Sequence, residues 1–329
     1  MRISACRFAG SALGVLLLVA VVVANAQNCN TSNTACGRTI KSKGDHTVDS
    51  DLDAARGFRR FPKRRIRPKD ESGADPGCSS PITACGCTIN SAGNYTVDSD
   101  LNATQGLTSS GGCIDVAASS VELFTNGHNI TGAGTGTGVG IHLLSGATNL
   151  FLSAAGPGSS YTTISGWQYG IESETSNVTE EAFYFSGNST GVLLSGATNN
   201  NFSLVAASSN SVYGMWIVGG SANQIDYGAA WDNTVAGVYI GCSGTGPTGP
   251  ACSDSDGPTS SGNFVFEILS YSLGTQSYGL VVENGGTQNT LVDNQFFGDT
   301  VDDLFDGNAG GANVWNANLF STANQGYIQ

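Results

Sequence analysis

His142, Glu172 and Glu174 are the residues of this chain best suited to chemistry. An imidazole beside two carboxylates can move protons, and a pair of carboxyl groups is the usual acid and base of glycoside cleavage. Trp216 and Tyr239 form a second set, because flat aromatic rings are platforms on which a pyranose can stack. These residues are far apart in the sequence, and a frame of recurring glycines brings them together. Gly170, Gly191, Gly214, Gly237 and Gly279 open similar short segments at separations of 21, 23, 23 and 42 residues, the last being about one repeat plus an insertion. Side chains of a strand alternate between faces. With the residue after each glycine inward, one outward column reads His142, Glu172, Leu193, Trp216, Tyr239, Val281, Phe305. Two residues on, a second column reads Leu144, Glu174, Ser195, Val218, Gly241, Glu283. His142, Glu172 and Glu174 are therefore the expected catalytic cluster, and Trp216 with Tyr239 the expected ligand-binding step.

The elements that hold these columns must be strands. Short alternating runs such as "GMWIV", "GVYIG" and "GLVVE" recur between polar turns, and no apolar pattern of 3.6-residue period persists. A period of about 22 residues made of strand and turn describes a coil that stacks on itself. Asn177, Asn201, Asn223, Asn263, Asn289 and Asn313 recur near the middle of successive repeats, and Asn188, Asn210 and Asn233 near their ends. Stacked in register, such side chains can hydrogen-bond from coil to coil.

The stretch "CGCTINSAGNYTVDSDLN" followed by "GGCIDVAASSVELFTNGHNITGAG" and by these repeats resembles the right-handed parallel β-helix of the pectate-lyase-like superfamily, secreted bacterial type. That resemblance covers roughly residues 83–325. It implies an all-β fold, a single right-handed parallel β-helix or solenoid of about eight coils with an N-terminal disulfide-bonded cap. The scaffold hosts lyases, hydrolases, epimerases, adhesins and non-catalytic modules, so it does not fix a function. Pectate lyases of this fold use an Arg base beside Ca²⁺-binding carboxylates, and polygalacturonases use Asp triads with a basic substrate clamp. All thirteen Lys and Arg of this chain lie at or before Lys69, so neither mechanism carries over. "NGHNITG", with His128, reads as a turn between coils.

Residues 34–54 and 83–103 match at fifteen of twenty-one positions, so the cap motif is written twice. The expected organisation is a signal peptide at 1–26, a cap-like copy at 27–54, a basic Pro-containing linker or processing segment at 55–77, and the β-helix at 78–329. Cys6 leaves with the signal, and eight cysteines remain, an even number that suggests disulfides in an exported chain. Cys29 and Cys36 are spaced like Cys78 and Cys85, so each copy is expected to close its own loop. Cys87 and Cys113 have no counterpart in the first copy and are expected to pair, with Cys242 and Cys252 stapling an insertion. No C-x-x-C pair or nearby His supports a metal reading of these cysteines.

From residue 70 onward the chain carries 22 Asp and Glu and no Lys or Arg. Such a body repels nucleic acid, anionic lipid and polyuronates unless a cation intervenes. No cofactor is called for. Ca²⁺ is the one ion the acidic loops suit, at Asp254 and Asp256 and in the stretch that gathers Asp299, Asp302, Asp303 and Asp306, where solvated turns are the plainer account. The leading expectation is a secreted, non-catalytic extracellular or cell-surface module that binds carbohydrate or another partner along an outward strand face. The alternative is a polysaccharide lyase or glycoside hydrolase acting on a neutral or Ca-bridged glycan. No membrane span is expected after the signal is removed.

Overall fold

The computed structural model describes residues 75–154, 161–241, 259–283 and 285–329. They form a right-handed parallel β-helix. Three sheets of nine parallel strands run the length of this β-helix, and eight one-coil steps separate the first rung from the last. The first sheet runs from Cys87–Ile89 to Asp302–Asp306. The second runs from Gly93–Thr96 to Val314–Asn316, and the third from Leu101–Asn102 to Leu319–Phe320. Among the described residues no helix is long and apolar enough to cross a membrane.

The core is built from inward columns, one residue per coil. In the first sheet Ile114, Ile141, Ile171, Val192, Met215, Val238, Leu280 and Leu304 stack in register. Each such side chain, fully withdrawn from water, stabilises the fold by roughly 1.5–3 kcal/mol. The second sheet adds Leu123, Leu152, Glu180, Phe202, Ile225, Val265, Leu291 and Trp315, so one carboxylic acid stands in an apolar column. The recurring glycines belong to the same geometry. A Cβ at Gly191 would lie 2.5 Å from the carbonyl oxygen of Gly214, and one at Gly214 equally close to that of Gly237. They are kept small by the close approach of the next coil, inside a strand and without positive φ.

Two Asn ladders tie the turns together. Asn188 Nδ2 donates to Asn210 Oδ1 at 3.2 Å, Asn210 to Asn233 at 2.8 Å, and Asn233 to Gln276 Oε1 at 3.3 Å. In the other ladder Asn223, Asn263, Asn289 and Asn313 are joined by bonds of 3.0, 3.0 and 3.1 Å. Asn200, not Asn201, begins it, its backbone N–H donating to Asn223 Oδ1 at 3.2 Å. The expected member Asn177 lies outside the ladder and accepts a hydrogen bond from Asn199.

The N-terminal end is covered as the cap motif implies, but its disulfides are exchanged relative to expectation. Cys78 bonds to Cys87, and Cys85 to Cys113, with Cα separations of 4.9 and 4.3 Å. The reason is edge pairing. Thr88 N–H donates to Pro76 O, and Cys78 N–H to Thr88 O, both at 2.9 Å. The segment 76–78 thereby covers the open edge of the first sheet and sets Cys78 beside Cys87. Cys85, past the turn, then meets Cys113. The expected signal peptide, first cap copy and Cys29, Cys36, Cys242, Cys252, Asp254 and Asp256 lie outside the described residues.

Candidate functional site

The outward face of the first sheet carries the row Thr88, Asp115, His142, Glu172, Leu193, Trp216, Tyr239, Val281, Phe305, each in register with the next. Parallel pairing puts these residues on neighbouring rungs about 4.8 Å apart. The column read from the glycine frame is present from His142 to Phe305, and it extends two rungs further back, to Asp115 and Thr88.

At the Asp115 end polar groups converge on one imidazole. His142 Nε2 lies 4.0 Å from Glu172 Oε2 and 3.9 Å from Glu174 Oε1. Glu174 follows the strand Tyr169–Ser173, and its N–H donates to Leu143 O at 3.0 Å, which fixes its backbone beside His142. On the other side of the ring, Nδ1 lies 3.4 Å from Ser110 Oγ and 3.9 Å from Asp115 Oδ1. Ser110 Oγ donates to Asp115 Oδ2 at 2.6 Å, so its lone pairs remain to accept from an Nδ1–H. His142 Nε2 and Asp115 Oδ1 are buried and have no hydrogen-bond partner.

No Lys or Arg follows Lys69, so among the described residues burial acts on these carboxyl groups with no permanent cation to oppose it. Burial pushes the Glu172 carboxyl up to about 7, and the charge of Glu174 adds to the shift. Burial also raises the Asp115 carboxyl, while its hydrogen bond from Ser110 works the other way.

Further along the row the side chains pack on one another. Tyr213 and Tyr239 lie with ring centroids 4.7 Å apart, and Trp216 meets Tyr213 at 5.2 Å and Tyr239 edge-on at 6.5 Å. Tyr239 is 0% exposed, as is Val281, whereas Trp216 is half-buried with its Nε1 unpartnered. Of the expected aromatic step, Trp216 therefore offers a surface and Tyr239 supports it from beneath. Leu193, buried, separates Trp216 from Glu172.

The other candidates fall elsewhere. His128 faces Asp100, with Nδ1 3.6 Å from the carboxylate, in a turn between coils. The acidic stretch at residues 299–306 serves the C-terminal coil. Asp303 Oδ2 accepts the N–H groups of Ser321 and Thr322 at 2.6 and 2.9 Å, and Asp306 accepts Trp315 Nε1 at 2.7 Å. Asp115 and Ser110 are the site residues that the glycine frame misses. Gly112 pairs with Val139 rather than with Gly140, so counting from the glycine places Asp115 on the wrong face by one residue.

No family model and no curated protein sequence matches the chain. Solved structures with a similar chain path include the enzymatically active domain of tailspike protein 2 from bacteriophage CBA120, at 14% identity and a TM-score of 0.46, covering 76% of this chain and 43% of that one. The Dettilon tailspike protein matches at 13% identity and a TM-score of 0.46, covering 71% of this chain and 51% of its own. Pectate lyase Pel9A matches at 13% identity and a TM-score of 0.34, covering 65% of this chain and 70% of its own. The chain thus spans about half the length of the tailspike structures it matches.

Proposed function

We propose that this chain is an exported β-helix that binds a neutral glycan along the outward row of its first sheet, from Thr88 to Trp216, as a binding module rather than an enzyme. One observation carries the reading. Thr88 Oγ1, Asp115 Oδ1, His142 Nε2 and Trp216 Nε1 are buried polar atoms without a partner, and all four fall on that one row. An unsatisfied buried polar group costs roughly 1–3 kcal/mol, so a line of them just beneath the outward face fits side chains that turn out to meet a ligand. The atoms include the Trp216 N–H donor and acceptors at Asp115 and His142, which suits hydroxyl groups that both donate and accept.

Charge narrows the ligand further. With no Lys or Arg after Lys69, the described residues offer a polyanion no counter-charge on this face. The half-buried ring of Trp216 supplies an apolar plane for a sugar ring. Disulfides at the N-terminal end are in keeping with an oxidising compartment.

The test is a glycan array run with the wild type and Trp216→Ala, paired with an assay of new reducing ends and unsaturated products on the same polysaccharides. Binding to a neutral glycan that falls by about tenfold or more in Trp216→Ala, without product, is the expected result. Equal binding by both proteins overturns the row as the contact surface. Product that disappears in Glu172→Gln overturns the non-catalytic reading and makes the face that of a hydrolase or lyase.

A further inference from the structure

We infer that His142, Glu172 and Glu174 bind one divalent first-row transition ion of the zinc or manganese class, with Ser110 and Asp115 positioning the imidazole. The inference concerns an ion rather than a sugar: with the ion bound, His142 Nε2 is spent as a ligand and a sugar hydroxyl meets it only through the ion's open position, while the Trp216 part of the row is unaffected. Three observations carry it.

The donor atoms are assembled. One atom from each residue, His142 Nε2 and a carboxylate oxygen of Glu172 and of Glu174, lies within 4.8 Å of the other two. Ligands of a tetrahedral ion with bonds of about 2.1 Å stand about 3.4 Å apart. Closing on an ion therefore asks for a contraction of roughly 0.5–1.4 Å between atoms. The Glu174 side chain is 41% exposed and ends in three rotatable bonds, so it is free to make that movement.

The imidazole is set for coordination. The His142 side chain is 9% exposed, and its Nε2 has no hydrogen-bond partner while pointing at both glutamates. The Ser110 hydroxyl gives its proton to Asp115 and faces Nδ1 with a lone pair, which places the ring hydrogen on Nδ1. Nε2 then presents its lone pair to the site. A carboxylate standing behind a histidine in this way is how metal-bound imidazoles are commonly oriented.

Among the described residues the charge lacks a counter-ion. Asp115, Glu172 and Glu174 gather round one imidazole, in a body with no Lys or Arg after residue 69. An imidazole nitrogen with two carboxylate oxygens suits Zn²⁺ or Mn²⁺, whereas Ca²⁺ takes six to eight oxygens. Three protein ligands leave a position for water or a hydroxyl group.

The experiment is calorimetric titration of the full secreted chain, freed of metal by chelator, with ZnCl₂, MnCl₂ and CaCl₂ in the absence of any glycan. One Zn²⁺ or Mn²⁺ per chain is expected, bound more tightly than Ca²⁺. Glu174→Gln and His142→Gln are each expected to weaken that binding at least tenfold, and Asp115→Asn by about tenfold through the ring orientation. Glu174→Gln replaces a half-exposed side chain and decides the matter even where His142→Gln fails to fold. Absence of binding by either ion, tighter binding of Ca²⁺, or binding unchanged in Glu174→Gln overturns the site. Because no glycan is present, failure here leaves the Trp216 experiment as an independent test of the binding face.

Discussion

Asp115 and His142 stand on adjacent rungs of one outward row, with Asp115 Oδ1 3.9 Å from His142 Nδ1 and the Ser110 hydroxyl within hydrogen-bond reach of both. Ser110 comes from the loop before the strand Gly112–Val116, and Thr108 Oγ1 stands 3.0 Å from its hydroxyl. The ring is thus held by a loop and a neighbouring rung rather than by its own strand. Ser110→Ala removes the bridge and leaves the buried Asp115 carboxyl without its 2.6 Å donor. The expected loss of stability is about 1–3 kcal/mol, the size of a hydrogen bond to a buried carboxyl group. Chemical denaturation of the variant beside the wild type measures it, and a midpoint unchanged from wild type would show that the bridge holds nothing.

The Asn ladder gives a sharper contrast. Asn210 Oδ1 accepts both the backbone N–H and the Nδ2 of Asn188, while its own Nδ2 donates to Asn233 and to Phe185 O. Asn201 lies nine residues earlier, and its Oδ1 has no partner. Asn210→Ala should therefore cost about 2–4 kcal/mol by stranding buried partners on two coils, whereas Asn201→Ala should stay within about 0.5 kcal/mol. Equal effects of the two substitutions on the thermal midpoint would remove the ladder as a source of stability.

The same pair of residues shows how much of this molecule can be read from its sequence. A constant rung and a period of two make the outward row legible from glycines alone, and the row found by register agrees from His142 to Phe305. Inside the run Asn199-Asn200-Asn201 the period does not say which residue turns inward, so the ladder member is misplaced by one. Burial of Tyr239 is not legible either, because it depends on Tyr213 leaning across from the neighbouring rung. Asp115 escapes because Gly112 pairs with Val139 rather than with Gly140, one residue out of step with the glycine frame.

Edge pairing governs the cap and leads to a covalent prediction. Peptide mapping of the unreduced protein should recover Cys78 linked to Cys87 and Cys85 linked to Cys113. The two bridges span 9 and 28 residues. On the chain-entropy account, losing the longer loop costs about 3–4 kcal/mol and losing the shorter about 2–3 kcal/mol. Cys113→Ser should accordingly lower the denaturation midpoint more than Cys78→Ser. Recovery of a peptide linking Cys78 to Cys85 would contradict the pairing of residues 76–78 with Thr88.

Glu180 supplies the last prediction, because it is a carboxylic acid where the fold wants a hydrocarbon. It occupies the inward column between Leu152 and Phe202, is fully buried, and neither of its oxygens has a partner. Burial raises its pKa well above the ordinary value of 4.5, with the charge of Glu181 adding to the shift. Burial likewise pushes Asp299, near the C-terminal coils, from 3.8 up to about 8. For both groups the folded state holds its proton after the unfolded chain has released it. Stability is therefore greatest below the unfolded values and falls as pH rises through them, the loss from Asp299 continuing to about pH 8. The protein should melt at a higher temperature at pH 5 than at pH 8. Glu180→Leu removes the acid and continues the apolar column, so it should raise stability at pH 8 by about 1–3 kcal/mol and flatten the dependence on pH. Thermal melts of the two proteins across that range decide the matter. A wild type that gains stability toward pH 8, or a Glu180→Leu variant as pH-sensitive as its parent, would mean that the buried acid does not titrate with folding.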